Sequence, residues 1–212
     1  MRSPPAKEQT ANKPRFRGAE NIPAELWNDL AAKNPDSVCH QAGVGHRSGE
    51  GYRLPFLGGE YLVDTEKKEI SATNDAYRVG FQSGLVMLIY LIHASTHGLT
   101  GRMVTGREIK GGDMFFQGPH ALSQDEVLQK YGRDRIGFLD RARILDATAI
   151  NMGDAAFRVL ALPKIPVAYT LYTEDEEFPA RLVITFDAAI EKHLPLDAVF
   201  ALVNVISHRL SE

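Results

Sequence analysis

Alternation of apolar and polar residues with period two is strongest in the last third of the chain. "AAFRVLAL", "VAYTLYT" and "ARLVITF" place Phe157 and Val159, then Val167, Tyr169 and Leu171, then Leu182, Ile184 and Phe186 on one side of three successive strands. The links "PKIP" and "EDEEFP" are too short for a parallel crossover, so the three strands are expected to form an antiparallel meander. The period then changes. In "LPLDAVFALVNVISHRL", Val199, Leu202, Val203, Ile206 and Leu210 recur at helical spacing, a stripe suited to covering one face of that sheet.

Further upstream, "NIPAELWNDLAAKN" reads as a helix with its proline in the first turn, Leu26, Trp27, Leu30 and Ala31 on the apolar face, and an end before Pro35. The glycine-rich "GVGHRSGEG" reads as a loop. "YRLPFLGGEYLVDTEKKEISAT" predicts two or three antiparallel strands joined by tight turns. "TNDAYRVGFQSGLVMLIYLIHASTHG" predicts the longest helix, capped by Asn74 or Asp75, ended by Gly98, and buried on all sides through "GLVMLIYLIHA". Gly80 and Gly84, one turn apart, are expected to admit a close neighbour. "SQDE" spells a capping box with Ser123 and Glu126 ahead of a short helix stopped at Gly132, and "RIGFLDRARILD" predicts another helix. "LGGEYL" and "KGGDMF" read as two similar turns. The expected class is α+β: an antiparallel sheet, with its C-terminal three-strand meander, packed with helices. Residues 1–20 form a mobile N-terminal arm and residues 21–212 a single domain.

Composition narrows the function classes. The chain has 212 residues, 44% hydrophobic and 24% charged, the balance of an ordinary globular protein. A net charge of −3 gives no overall attraction for nucleic acid or anionic membranes, so neither is an expected partner. The single cysteine, Cys39, rules out an internal disulfide and makes a reducing, cytoplasmic location the default. The longest apolar run is too short to span a bilayer, which needs about 18 or more residues. No Walker loop and no Gly-x-Ser-x-Gly elbow occur, and in "GVGHRS" serine replaces the third glycine of a dinucleotide fingerprint.

Four candidate chemistries remain. The carboxylates of "EDEEFP", Asp175, Glu176 and Glu177 with Glu174 before them, are hard oxygen ligands suited to a divalent cation. The plainer reading is a solvated hairpin tip that guards a sheet edge. Phe178 and Pro179 imply that this tip folds back onto an apolar surface, and Asp187 reads as a helix cap. His93 and His97, four apart on one helix face, have the spacing of a metal-binding pair. Cys39, His40 and His46 are a weaker soft-ligand set. "GGDMFFQGPHAL" offers Gly111, Gly112, Phe115, Phe116 and His120 as a pocket rim beside a helix start, for a bound ligand or cofactor. Arg133, Arg135, Arg141 and Arg143, interleaved with Asp134, Asp140 and Asp146, read as a salt-bridged helix surface.

The order of "FLGGEYLVD", "MLIYLIHA", "REIKGGDMFFQGPHAL", "LPKIPV" and "DEEFPARLVITFDAAIEKHLP" resembles the family catalogued as domain of unknown function 3786 over roughly residues 25–210. The resemblance implies a setting in strict anaerobes, in one-carbon or redox metabolism, where tetrapyrrole, corrinoid and metal centres are common. Some members carry an added cysteine-rich iron–sulfur segment that this chain lacks. On this basis the expected function is a non-catalytic accessory protein holding a small ligand or cofactor, unnamed but of the tetrapyrrole, corrinoid or divalent-metal kind. Its pocket is expected between the "GGDMFFQGPH" loop and the acidic hairpin, with His120 as a polar or axial contact. The alternatives are a metal-assisted hydrolase or transferase using the same carboxylates with histidines, and a protein-interaction module.

Overall fold

The computed structural model describes residues 21–73 and 79–212. The expected arm at 1–20 and the expected caps Asn74 and Asp75 lie outside them. The fold is α+β, with two antiparallel sheets and seven α-helices among the described residues sharing one continuous core.

Two short helices come first, α1 (Ala24–Ala31) and α2 (Pro35–Ala42). In α1, Trp27 and Leu30 are buried, whereas Ala31 is exposed and does not join the apolar face. Pro35 does not merely end the first helix. It begins the second, at a position where its missing N–H costs nothing, and the Asn34 side chain accepts from Ser37 N at 3.0 Å.

The first sheet runs β1 (Gly45–Arg47), β2 (Gly51–Phe56), β3 (Gly59–Asp64) and β4 (Glu69–Ala72) in sequential antiparallel order. The glycine-rich stretch expected as loop is therefore half strand: His46 pairs with Tyr52 across a hairpin turning at residues 48–50. Leu57 and Gly58, with φ of 48° and 77°, make the β2–β3 turn. Two successive positive φ values match the twist of the strands they join. Leu57 holds that conformation without being glycine because its side chain is fully buried and its N–H donates to Ala161 O at 3.1 Å on the second sheet.

The long helix α3 (Phe81–His93) is shorter at both ends than the sequence implies. Gly80 is its N-cap, and the chain leaves helical geometry at Ala94. Residues 86–91 are buried without a break, as expected for a helix enclosed all round. It packs against α1 and against the C-terminal helix α7 (Leu196–Ser211).

The second sheet has the order β5–β9–β8–β7–β6, all antiparallel. Its centre is the expected meander β7 (Ala155–Leu162), β8 (Ile165–Tyr172) and β9 (Arg181–Asp187), with all eight predicted inward residues buried. Short edge strands β5 (Met103–Thr105) and β6 (Thr148–Ile150) complete it. The stripe on α7 is buried as expected, and Tyr169 in the sheet centre meets α7 through Val203 O at 3.5 Å and Ser207 Oγ at 3.3 Å.

Between β5 and β6 in the chain come α4 (Gly112–Phe115), α5 (Asp125–Tyr131) and α6 (Arg135–Ala142). Gly132 follows α5 and Asp134 caps α6 by accepting from Gly137 N at 2.8 Å. The Ser123–Glu126 capping box does not form. Gln124 takes the N-cap place, and Ser123 instead offers its carbonyl to Ser207 Oγ at 2.8 Å.

Candidate functional site

The face of α7 opposite its buried stripe forms one wall of a recess. Asn204, His208 and Glu212 follow one another at i, i+4 spacing, as do Val205 and Arg209, so one side of the helix presents them together. Opposite stand the first turn of α3, Glu126 of α5, Arg141 of α6, and Ile144 and Leu145 of the turn after it. They enclose a cleft of about 910 Å³. A shallower recess of about 400 Å³ adjoins it, and Glu126, His208 and Glu212 line both.

The two arginines are held by local geometry. Arg141 donates through Nε (2.9 Å) and Nη2 (2.7 Å) to the Arg209 carbonyl, one of the last carbonyls of α7 that intrahelical bonding leaves open. Arg209 in turn donates to Tyr61 Oη at 2.9 Å and Leu57 O at 3.4 Å and lies over the Phe56 ring at 5.4 Å. Neither guanidinium has a carboxylate closer than the 4.0 Å separating Arg141 from Glu212 among the described residues. Glu212 sits nearer to His208, at 3.3 Å. The cleft thus combines apolar walls with a few fixed polar groups, the composition typical of small-molecule sites, whose volumes run about 300–1,000 Å³.

The residues expected to form a pocket rim are packed among themselves. Phe116 is buried, Phe115 half-buried, and the exposed His120 ring stacks on Phe115 at 4.9 Å and meets Phe200 edge-on at 5.5 Å. Gly112 abuts the Gly106 carbonyl so closely that a Cβ there would collide with it, and a Cβ on Gly106 would lie 3.0 Å from Phe116. This packing accounts for Gly112, and the φ of 78° at the N-cap of α4 accounts for Gly111. None of Gly111, Gly112, Phe115, Phe116 or His120 lines either recess.

The acidic tip is an ordered turn. Asp175 accepts from Glu177 N (2.8 Å) and Phe178 N (2.7 Å), bonds that favour its ionised form and hold its carboxyl below the ordinary range. Glu174 receives both Nε and Nη2 of Arg133, at 3.0 and 2.6 Å. Glu176 and Glu177 are exposed, so it is Asp175 rather than either glutamate that accepts backbone N–H groups. Phe178 is 66% exposed and does not fold back onto an apolar surface. The tip joins β8 and β9, both interior strands, so it guards no sheet edge.

His93 closes α3, whereas His97 lies beyond the helix on the following loop, so the two do not share a helix face. Among the described residues no three His, Cys, Asp or Glu side chains are placed to hold one metal ion; His93, His97, Asp175, Glu176 and Glu177 are not brought together, nor are Cys39, His40 and His46. Of the arginine cluster, Arg143 pairs with Asp140 at 3.3 Å, as interleaving implies, but Arg133 reaches the acidic tip and Arg141 the cleft.

A second polar centre, which the sequence reading passed over, surrounds His193. This histidine is fully buried. Its Nδ1 accepts from Ser95 N at 3.3 Å, which places the ring proton on Nε2, and Nε2 has no hydrogen-bond partner. Burial, reinforced by the charges of Lys164 and His97 and opposed by Asp187, pushes its pKa down to about 4. Lys164 donates to Ser95 O at 2.7 Å and so fixes the same turn.

Asp187 caps the 3-10 turn Ala188–Lys192, as its position implies, by accepting from Ala189 N at 2.8 Å. It also accepts from Thr100 N, Thr100 Oγ1 and Gly101 N. Burial raises its pKa, but these four donors outweigh that effect and hold it below the ordinary value.

Arg209, His208 and Asn204 were legible only as the polar side of α7. Their spacing signalled a shared face, but nothing in the sequence showed that α3 and α6 would stand across from it. No helix among the described residues is long and apolar enough to cross a membrane. No curated protein and no solved structure matches the chain. The signature of one family extends over residues 34–209, and the chain belongs to that family, described as Domain of unknown function (DUF3786).

Proposed function

We propose that this protein is a non-catalytic binding protein for a small organic molecule, seated in the cleft between α7, α6 and the start of α3. The cleft itself carries this reading: a recess of about 910 Å³ with apolar walls and two arginines held in place by backbone and ring contacts. Pre-positioned polar groups orient a ligand without the entropy cost of ordering them on binding. The anaerobic setting implied by the family resemblance belongs to the same proposal and guides how the protein is to be isolated. The expected site thereby moves from the aromatic turn and acidic hairpin to the far side of α7.

A native mass spectrum of the full-length protein, purified without oxygen from its own host, tests the reading. The expected result is added mass from a small organic molecule, lost in Asn204→Trp, whose indole fills the cleft from the half-exposed side of α7. The variant should keep its melting temperature to within about 4 °C, the shift that roughly 1 kcal/mol brings in a domain of this size. A clean apo mass, together with no binding in a ligand screen, overturns it.

A further inference from the structure

The charged side chains of the cleft fall into two groups. Arg141 and Arg209 line the recess of about 910 Å³ and not its shallower neighbour, whereas Glu126 and Glu212 line both and so stand where the two meet. The arginines are anchored by uncharged groups: Arg141 by the Arg209 carbonyl, and Arg209 by Leu57 O, Tyr61 Oη and the Phe56 ring. A guanidinium stays charged in proteins and carries five N–H donors. Arg141 commits Nε and Nη2 to that carbonyl, and its side chain remains 28% exposed. Its nearest carboxylate, Glu212 at 4.0 Å, is beyond hydrogen-bond reach. Glu126 is exposed and makes no ion pair among the described residues. Lys130 lines only the second recess, where it donates to Ser211 O at 2.9 Å. Two arginines against two glutamates give the cleft no net charge with which to favour an anion or a cation. A molecule that carries both signs meets a partner for each.

We propose that the cleft selects a zwitterion, a molecule with an α-amino-acid head group, whose carboxylate is held by Arg141, whose ammonium is held by Glu126 and Glu212, and whose apolar body lies along Phe81, Ile144 and Val205. This inference rests on the cleft being a ligand site and specifies the ligand's class. The guanidinium fork matches a carboxylate, and the glutamates accept from the three N–H groups of an ammonium. With Arg141 and Glu212 only 4.0 Å apart, two groups borne on one carbon reach both partners.

The test measures binding of three probes to the full chain by isothermal titration: phenylalanine, 3-phenylpropionate, which lacks the amine, and phenethylamine, which lacks the carboxylate. Phenylalanine should bind about tenfold or more tightly than either single-charge probe. Glu126→Gln, at an exposed position, should weaken phenylalanine and phenethylamine about tenfold and leave phenylpropionate within about twofold. Arg141→Gln should do the reverse, weakening phenylalanine and phenylpropionate but not phenethylamine. Should its lost contact to α7 unfold the chain, Glu126→Gln decides alone. Phenylalanine binding no tighter than a single-charge probe, or indifferent to Glu126→Gln, overturns the assignment. If a single-charge probe binds equally and Asn204→Trp displaces it, the cleft remains a ligand site and only the zwitterion fails. If no probe binds but the native mass carries an adduct, an adduct without both an amine and an acid overturns the assignment, and one with both supports it. If no probe binds and the native mass is clean, both readings fail together.

Discussion

At the scale of single residues, His193 shows how burial converts an ordinary side chain into a pH-dependent element. Its Nε2–H is buried without a partner, at a cost of about 1–3 kcal/mol. Protonating the ring adds a cation beside Lys164 and His97, with only Asp187 opposing. The unfolded chain takes up this proton near the ordinary value of 6.5, whereas the folded protein resists until about 4. Between these values the unfolded state binds more protons, so this contribution to stability is complete above 6.5 and is lost as pH falls toward 4. The loss should reach up to about 3 kcal/mol in urea unfolding between about pH 7.5 and 4.5. His193→Gln should flatten that part of the profile, and an unchanged slope would show that other groups carry it. Ser95 and Lys164, the neighbours that set this environment, are remote from residue 193 in sequence, which is why the histidine did not stand out.

Among elements, termini were the least legible feature. "SQDE" and "TGRE" both spell a capping box, yet only the second is realised, with Glu108 accepting from Thr105 N and Thr105 Oγ1 at 2.8 Å each. At the first, Gln124 takes the N-cap place and the Ser123 carbonyl accepts from Ser207 Oγ of α7, a long-range contact invisible locally. Asp187 is the contrary case: its capping role was legible, but not its second role of closing the loop at Thr100–Gly101 onto β9. Asp187→Asn keeps the shape but replaces a four-bond carboxylate with one carbonyl and an amide facing donors. It should cost about 2–4 kcal/mol, read as a lower urea midpoint with unchanged slope. A loss below about 0.5 kcal/mol, ordinary for surface positions, would mean that the loop is held by other contacts.

Over the whole molecule, the two sheets are tied into one unit at the β2–β3 turn. Leu57 N donates to Ala161 O, Arg209 from α7 reaches Leu57 O and Tyr61 Oη, and α3 packs between α1 and α7. A single core predicts a single transition. The one tryptophan, Trp27, lies in α1, at the far end of the chain from the meander that dominates the strand signal. Its fluorescence and the far-UV circular dichroism should therefore report coincident urea midpoints. Separate midpoints would divide the first sheet from the second as independently unfolding parts.

Period-two alternation specified the three central strands and their inward residues, because side chains on one face of a strand recur at every second position; β8 is in fact buried on both faces, and there the second face is filled by the smaller Ala168 and Thr170. Helical spacing specified the buried stripe of α7 for the same reason. The edge strands β5 and β6 escaped because three residues are too few to show a period, α2 was not expected at all, and the ends of α3 escaped because helix ends depend on what satisfies their backbone groups. The cleft left no local signature at all. Arg141, Arg209, Ser83 and Asn204 belong to three different helices, and each alone is an unremarkable polar position. Their convergence follows from the way α3 and α6 pack around α7. The physical reason is range: burial periodicity is written along the chain, residue by residue, whereas a binding site depends on distances between segments that sequence order does not encode.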